Sequence, residues 1–158
     1  MRTAFKRVLV PTDFSETAQV AMEYASDLAN AFQATLHVMH VLENITPTGG
    51  WAAGERYAPP PAALIEPMEH EVGEELKNAL AKLQPQPLKS LVVVRAGSPF
   101  VEIIRYAREQ EIDLIVMGTH GRGPVAHMLL GSVADNVIRK APCPVLTVRH
   151  PAHEFVHP

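Results

Sequence analysis

The sequence alternates short apolar runs with longer segments in which apolar residues recur every three or four positions. The short runs are rich in valine, isoleucine and leucine and mostly lack alternation with polar residues. That pattern is typical of strands buried on both faces of a parallel sheet. Five such runs occur, at 7–10, 35–41, 90–94, 113–117 and 144–148.

The segments between these runs have helical spacing. Ser15 precedes the first as an expected N-cap, and Ser98-Pro99 opens the third as N-cap and first helical residue. The last helix is expected to begin at Ser132, which with Asp135 has the form of a capping box. Strands and helices therefore alternate along the whole chain, which predicts an α/β fold with a parallel sheet and helices on both faces.

Length and composition narrow the class of protein. A chain of 158 residues is sufficient for one domain, which we place at 1–150, followed by a short C-terminal tail at 151–158. The stretch 43–61 is a long loop for a compact domain and is typical of a lid, a binding loop or a disordered segment.

Charge and the apolar runs exclude other classes. A net charge of −3 argues against binding to nucleic acid or to an anionic membrane surface. No run has the length of a signal peptide or a membrane span, so we expect a soluble cytoplasmic protein. The single cysteine, Cys143, excludes an intramolecular disulfide.

The candidate chemistry follows the predicted strands. In a doubly wound sheet, ligands bind beyond the carboxyl ends of the strands, near the point where the strand order reverses. Pro11-Thr12-Asp13 follows the first strand, and the glycine-rich stretch 118–123 follows the fourth. Gly131-Ser132 then stands at the start of the last helix, where free N–H groups favour a phosphate. Arg122 adds a positive charge, so these segments together predict a polyphosphate site.

Simpler interpretations stand beside this one. The glycines can serve only a tight connection between strand and helix. Asp13 can be a turn or cap residue, and the His120 side chain can face solvent. Cys143 is interpreted as a buried small apolar residue, with a redox sensor as the alternative.

The glycine pattern Gly118, Gly121 and Gly131-Ser132 resembles the nucleotide-binding signature of the universal stress protein family. The start VLVPTDFSETA and the ending APCPVLTVR resemble the same family, over residues 4–149. One branch of that family lacks the glycines and is thought not to bind ATP. This chain keeps them, so the resemblance implies the ATP-binding branch.

The resemblance implies a sheet in the order 3-2-1-4-5, of the adenine nucleotide alpha hydrolase-like kind. It also implies a homodimer paired through the last strand. The run 145–148 carries no charge that would deter such pairing. The long loop at 43–61 varies most within the family, so no role transfers to it.

The resemblance also assigns roles to individual residues. Those after the first strand contact adenosine, and Asp13 accepts from the ribose or helps to hold Mg²⁺. Val41 closes over the adenine, and the residues near the fourth strand and the last helix line the ribose or bind phosphates largely through backbone N–H groups. The implied site is Pro11, Thr12, Asp13, Val41, Met117, Gly118, His120, Gly121, Arg122, Gly131, Ser132 and Val133.

The sequence favours binding over catalysis. The P-loop pattern with its lysine is absent, and no catalytic triad or paired-carboxylate constellation is legible. We therefore expect an ATP- and Mg²⁺-binding regulatory module with slow or no turnover, whose nucleotide state is read by a protein partner. The alternatives are a true nucleotide hydrolase or adenylating enzyme on the same topology, and a nucleotide-free dimeric interaction protein. Cyclic AMP is an alternative adenine nucleotide.

Overall fold

Five strands alternate with four helices in the computed structural model, which describes residues 4–43, 62–120 and 130–149. The predicted alternation is confirmed over these residues. The elements are β1 (Arg7–Pro11), α1 (Glu16–Phe32), β2 (Thr35–Leu42), α2 (Ala62–Ala81), β3 (Ser90–Ala96), α3 (Pro99–Glu109), β4 (Leu114–Gly118), α4 (Ser132–Lys140) and β5 (Val145–Val148).

The strands form one parallel sheet in the order β3-β2-β1-β4-β5. This is the expected order. The chain runs outward from β1 in one direction through β2 and β3, and then in the other through β4 and β5. The order therefore reverses between β1 and β4, and a crevice opens beyond their carboxyl ends.

The two faces of the sheet bury separate apolar clusters. One face, which includes Val8, Val10 and Val38, packs under α1 and α2. The other, which includes Leu9 and Met39, packs under α3 and α4. Because successive strand residues point to opposite faces, each central strand contributes to both clusters.

The edge strands are less buried than the sequence pattern predicts. Burial on both faces is correct for β1, β2 and β4. In β3, however, Leu91 is 50% exposed, and in β5 Leu146 is 39% exposed. An apolar run does not show whether its strand lies in the middle or at the edge of the sheet, because that depends on the strand order.

The helix starts follow the predictions at α1 and α3 and differ at α4. The Ser15 hydroxyl accepts from the N–H of Ala18, as an N-cap should. Ser98 is the N-cap of α3 but makes no side-chain capping bond. The N-cap of α4 is Gly131, and Ser132 is its first helical residue, so the expected serine cap is wrong.

The capping box at α4 fails for a local reason. The Gly131 carbonyl accepts the first helical hydrogen bond, from the N–H of Asp135. The Asp135 carboxylate receives the Arg139 guanidinium one turn later, at 3.0 and 3.1 Å. The helix therefore begins one residue earlier than the capping box requires, and the Asp135 side chain pairs with Arg139 at i,i+4.

Within the described ranges, none of the helices is both long and apolar enough to cross a membrane. The predicted tail at 151–158 and the predicted loop beyond Glu43, at 44–61, lie outside the described residues.

Candidate functional site

A cavity of about 570 Å³ lies at the carboxyl end of the sheet, where the strand order reverses. Its volume is within the range of roughly 300–1,000 Å³ typical of small-molecule sites. Ten of the predicted site residues line it: Pro11, Thr12, Asp13, Val41, Met117, Gly118, His120, Gly131, Ser132 and Val133. The other two, Gly121 and Arg122, lie outside the described residues.

The connection from β1 to α1 is held by a chain of hydrogen bonds. The Thr12 N–H donates to the Met39 carbonyl on β2 at 2.8 Å. The Thr12 hydroxyl oxygen accepts from the N–H of Phe14 at 3.0 Å, and an Asp13 carboxylate oxygen accepts from the N–H of Ser15 at 3.0 Å. Asp13 is therefore both a turn residue and a lining residue, with Oδ1 engaged by the backbone.

His40 ties the same connection to β2 a second time. Its Nδ1 lies 2.8 Å from the Thr12 carbonyl oxygen. Its ring also contacts the Phe14 ring, with centroids 4.9 Å apart. Phe14 has a φ of 63°, in the left-handed region that non-glycine residues rarely adopt.

Gly118, at the end of β4, is required by packing. A Cβ at this position would lie 2.8 Å from Thr17 Cγ2 and 3.2 Å from the Thr17 backbone carbon. The strand end and the first turn of α1 thus approach too closely for a side chain. Gly118 therefore serves the tight connection that the simpler interpretation of the glycines describes, and it also lines the cavity.

The far wall of the cavity joins β4 to α4. Thr119 is buried, and its Oγ1 lies 2.9 Å from His120 Nδ1. The Thr119 N–H donates to the Val148 carbonyl at 3.0 Å, and the Thr119 carbonyl accepts from the N–H of Gly131 at 2.6 Å. These bonds fix the start of α4 against the end of the sheet.

The N-terminus of α4 opens on the cavity through Gly131, Ser132, Val133 and Ala134. The first N–H groups of a helix have no acceptor within the helix. Here the N-cap is glycine, so no cap side chain accepts from them. Since the Gly131 N–H is engaged by Thr119, the groups that suit an anion belong to the residues after Gly131.

The described cavity wall has a characteristic charge balance. It includes the carboxylates of Asp13 and Glu43 and the imidazoles of His40 and His120, but no lysine or arginine. A helix N-terminus supplies an equivalent of about half a positive charge. The described part of the wall therefore has no side chain with a permanent positive charge to balance a polyphosphate. Among the residues described, no group of three or more His, Cys, Asp or Glu side chains forms a metal site.

Several lining residues were missed by the sequence analysis. They are Ala18, Met39, His40, Glu43, Pro99, Ile103, Thr119 and Ala134. The positions of Met39 and His40 were a usable signal. Both lie near the carboxyl end of the predicted second strand, as Val10 and Pro11 lie at the carboxyl end of the first. The others depend on how helices pack across the sheet, which the sequence pattern leaves open.

Two other candidate groups lie away from the cavity wall. Burial, with a smaller contribution from Asp113, raises the pKa of the half-buried Cys143 thiol to about 11. That value favours the interpretation of Cys143 as an inert apolar residue, since reactive thiols have lowered pKa values. His37 is buried, with Nδ1 2.8 Å from the Tyr106 hydroxyl.

The fold and the cavity define a doubly wound α/β protein with a ligand-sized crevice at its switch point. The model of the universal stress protein family matches residues 4–149. The chain belongs to this family, as its two ends and its glycine pattern indicated.

Curated relatives agree over nearly the full chain. Universal stress protein MJ0531 of Methanocaldococcus jannaschii is 33% identical over 151 residues, covering 95% of this chain and 85% of that protein. Universal stress protein YxiE of Bacillus subtilis is 33% identical over 149 residues, covering 92% and 99%.

Solved structures share the fold. The structure of protein MJ0577 is similar with a TM-score of 0.74 and 27% identity, covering 95% of this chain and 99% of that one. A universal stress protein in complex with cAMP is similar with a TM-score of 0.62 and 26% identity, covering 93% and 98%.

Proposed function

We propose that this chain binds an adenine nucleotide, ATP together with Mg²⁺, in the cavity beyond β1 and β4. In this proposal it acts as a nucleotide-dependent regulatory module of the stress response rather than as a dedicated enzyme. The observation that carries the proposal is the convergence of four separate segments on one cavity. Residues that the glycine signature and the PTD sequence singled out line it together.

The cavity suits the two halves of a nucleotide differently. Val41 and Met117 are buried and give an apolar wall for the base, while Asp13 offers a carboxylate oxygen to a ribose hydroxyl. The N-terminus of α4 suits the phosphates, because Ser132 and Val133 present backbone N–H groups beyond the glycine cap. In this proposal Gly121 and Arg122 complete the phosphate side.

Mg²⁺ fits the charge balance of the wall. Magnesium is commonly held by one or two carboxylates together with substrate phosphates. Asp13 retains one carboxylate oxygen that the Ser15 N–H does not use, so it is the proposed protein ligand, as the alternative to accepting from the ribose hydroxyl. Bound there, the ion would offset phosphate charge beside Asp13 and Glu43.

Slow turnover follows from what catalysis would need. Phosphoryl transfer to water requires a positioned nucleophile and strong stabilisation of charge in the transition state. Asp13 is hydrogen-bonded into a turn, and His120 Nδ1 lies against the Thr119 hydroxyl. Neither arrangement gives a dedicated base, so a slow ATP hydrolase is the alternative outcome. The nucleotide would then act as a state signal for a protein partner.

The remaining parts of the proposal concern assembly and location. We propose a homodimer through β5, whose half-exposed edge includes Leu146 and no charged residue. We also propose a cytoplasmic protein that binds neither nucleic acid nor membrane, in keeping with its net charge of −3. Light scattering at tens of micromolar protein tests the dimer, which a monomer mass would contradict.

Cyclic AMP is the second candidate ligand. The similar universal stress protein solved with cAMP favours it, since that nucleotide has the same base and sugar. It has a single phosphate charge, which the helix N-terminus of α4 could satisfy without Mg²⁺. The two candidates are therefore separated by the metal dependence of binding.

The test starts from protein purified without added nucleotide. Denaturation and chromatography identify any nucleotide that copurifies, and calorimetry then measures ATP–Mg²⁺ and cAMP binding. Gly131→Val places a side chain at the cavity wall and should abolish binding. Gly73→Ala is the matched control, because its Cβ would have nothing within 4 Å on the surface of α2.

The outcomes separate the candidate functions. Copurified ATP, or micromolar binding lost only in Gly131→Val, supports the proposal. A turnover number above about one per second favours an enzyme. No copurified nucleotide and no binding would favour a nucleotide-free interaction protein.

A further inference from the structure

We propose that His40 is a positioning residue for the nucleotide. It holds the β1–α1 connection, Thr12 to Ser15, in the shape that places Asp13 at the cavity. This inference rests on the proposed function and assigns to His40 a role that the glycine signature does not include.

The hydrogen bond fixes the chemistry of the imidazole. A carbonyl oxygen only accepts, so the 2.8 Å contact between His40 Nδ1 and the Thr12 carbonyl requires the proton on Nδ1. In its neutral form the ring is therefore the Nδ1–H tautomer. The bond joins the β2 strand directly to the backbone beside Asp13.

Thr12 is held on both sides by consecutive residues of β2. Its N–H donates to the Met39 carbonyl, and its carbonyl accepts from His40, both at 2.8 Å. The position of the loop is thus set by β2, the strand that also supplies Val41 to the cavity. A shift of the loop would break both bonds.

The loop needs this support because it contains an unfavourable backbone conformation. Phe14 has a φ of 63°, which is sterically costly for a residue with a large side chain. Such conformations persist when the surroundings determine them, and they concentrate at ligand sites. The Phe14 N–H donates to the Thr12 hydroxyl, and its ring lies against the His40 ring. Its side chain also packs against the apolar cluster under α1 and α2.

The next turn of the loop depends on that conformation. After Phe14 the chain reverses, so that the Ser15 N–H reaches Asp13 Oδ1 and the Ser15 hydroxyl caps α1 at Ala18. One oxygen of Asp13 is thereby fixed and the carboxylate stays at the cavity. His40 acts on the nucleotide through this turn.

The test compares two substitutions that separate the hydrogen bond from ring packing. His40→Phe keeps an aromatic ring against Phe14 but removes the donor. His40→Asn removes the ring but places an amide N–H near the position of Nδ1. We expect His40→Phe to weaken ATP–Mg²⁺ binding about tenfold, the effect of one lost hydrogen bond with its acceptor left unpaired. We expect His40→Asn to bind within about threefold of the wild type.

His37→Phe is the matched control. His37 lies on the same strand, three residues earlier, but its partner is Tyr106 and it does not line the cavity. This variant should lose thermal stability while the folded protein keeps its nucleotide affinity. If His40 contributed only to stability, ATP affinity would instead fall in parallel with melting temperature in all three variants.

The premise can be measured without nucleotide. Nitrogen-15 NMR of the imidazoles in the full chain should report the Nδ1–H tautomer for His40. Unchanged ATP affinity in His40→Phe would overturn this inference alone. An ATP affinity in His40→Asn as low as that in His40→Phe would do the same. Absence of nucleotide binding by the wild-type protein would overturn the proposed function, and this inference with it, even with the tautomer as expected.

Discussion

The two walls of the cavity are built in opposite ways. At the β1–α1 connection, the polar groups of Thr12 and Asp13 are already bonded to other parts of the protein. At the start of α4, the N-cap is a glycine, and the first N–H groups have no capping side chain. We call the β1–α1 connection the completed wall, because the protein itself bonds its polar groups. We call the start of α4 the open wall, because no cap side chain in the described part of the chain accepts from its first N–H groups.

This difference separates shape from affinity. A wall whose hydrogen bonds are internal keeps its geometry without ligand, and so gives specificity through preorganisation. A wall with unpaired N–H groups gains hydrogen bonds when an anion arrives, and so contributes binding energy. In the proposed function, the ribose would contact the first wall and the phosphates the second.

Closing the open wall should have the largest effect. Gly131→Asp supplies a cap side chain that accepts from the helix N–H groups and places a carboxylate where phosphate would bind. We expect ATP affinity to fall at least about a hundredfold, while the free energy of unfolding rises by a few tenths of a kcal/mol. Calorimetry and urea unfolding measure the two quantities. A variant that is more stable and still binds ATP normally would contradict the open wall.

The second largest effect should be a loss of stability when a side chain is added at Gly118, which packs closely against α1. Gly118→Ala places a Cβ 2.8 Å from Thr17 Cγ2, so we expect a loss of about 1–3 kcal/mol in unfolding free energy. Urea unfolding measures it. Gly73→Ala is the control and should gain about 0.5–1 kcal/mol, because alanine is the better helix former.

A second substitution identifies the clash. Thr17→Ser removes the Cγ2 methyl and should restore part of the stability lost in Gly118→Ala. No restoration in the double variant would mean that the contact with the Thr17 backbone carbon, at 3.2 Å, dominates.

Removing Mg²⁺ should weaken the binding of a ligand that has phosphates and leave the binding of adenosine unchanged. The described wall has Asp13 and Glu43 but no lysine or arginine, so in the proposed function Mg²⁺ balances much of the phosphate charge. We expect chelation to weaken ATP binding about tenfold and to leave adenosine binding unchanged. Calorimetry with both ligands measures this. Equal ATP affinity with and without Mg²⁺ would assign the balancing charge to Arg122, which Arg122→Ala then tests.

The smallest effect concerns pH and the strand that supports the completed wall. Burial, with a smaller contribution from Arg7, lowers the pKa of His37 below its usual 6.5. The unfolded chain then binds the proton more readily than the folded chain. The contribution of the buried neutral His37 to the unfolding free energy is therefore fully present above about pH 6.5. It is lost as the pH falls towards the lower pKa of His37 in the folded protein. Urea unfolding between about pH 8 and pH 5 should show a smaller loss in His37→Gln than in the wild type.

The sequence predicted much of this arrangement. Apolar runs and helical spacing are local properties, so the alternation of elements and the caps at Ser15 and Ser98 could be read directly. The family resemblance added the strand order. It also indicated ten of the residues that line the cavity.

Other features depend on contacts between distant segments. Ser132 has the residue type of a cap, but the Gly131 carbonyl accepts the first helical bond. The packing role of Gly118 depends on Thr17, from another element. The bond between His40 and Thr12 exists only because β2 lies beside the β1–α1 connection. Local patterns contain no information about such pairs.

The 2.6 Å bond from the Gly131 N–H to the Thr119 carbonyl has a consequence for how this family can diversify. The bond holds Thr119 and Gly131 together at the carboxyl end of the sheet, whatever the number of residues between them in the chain. Each doubling of a flexible loop costs only about 0.6 kcal/mol in closure entropy. Insertions or exchanges there should therefore leave the sheet intact, whereas the bonded turn from Thr12 to Ser15 has no comparable slack.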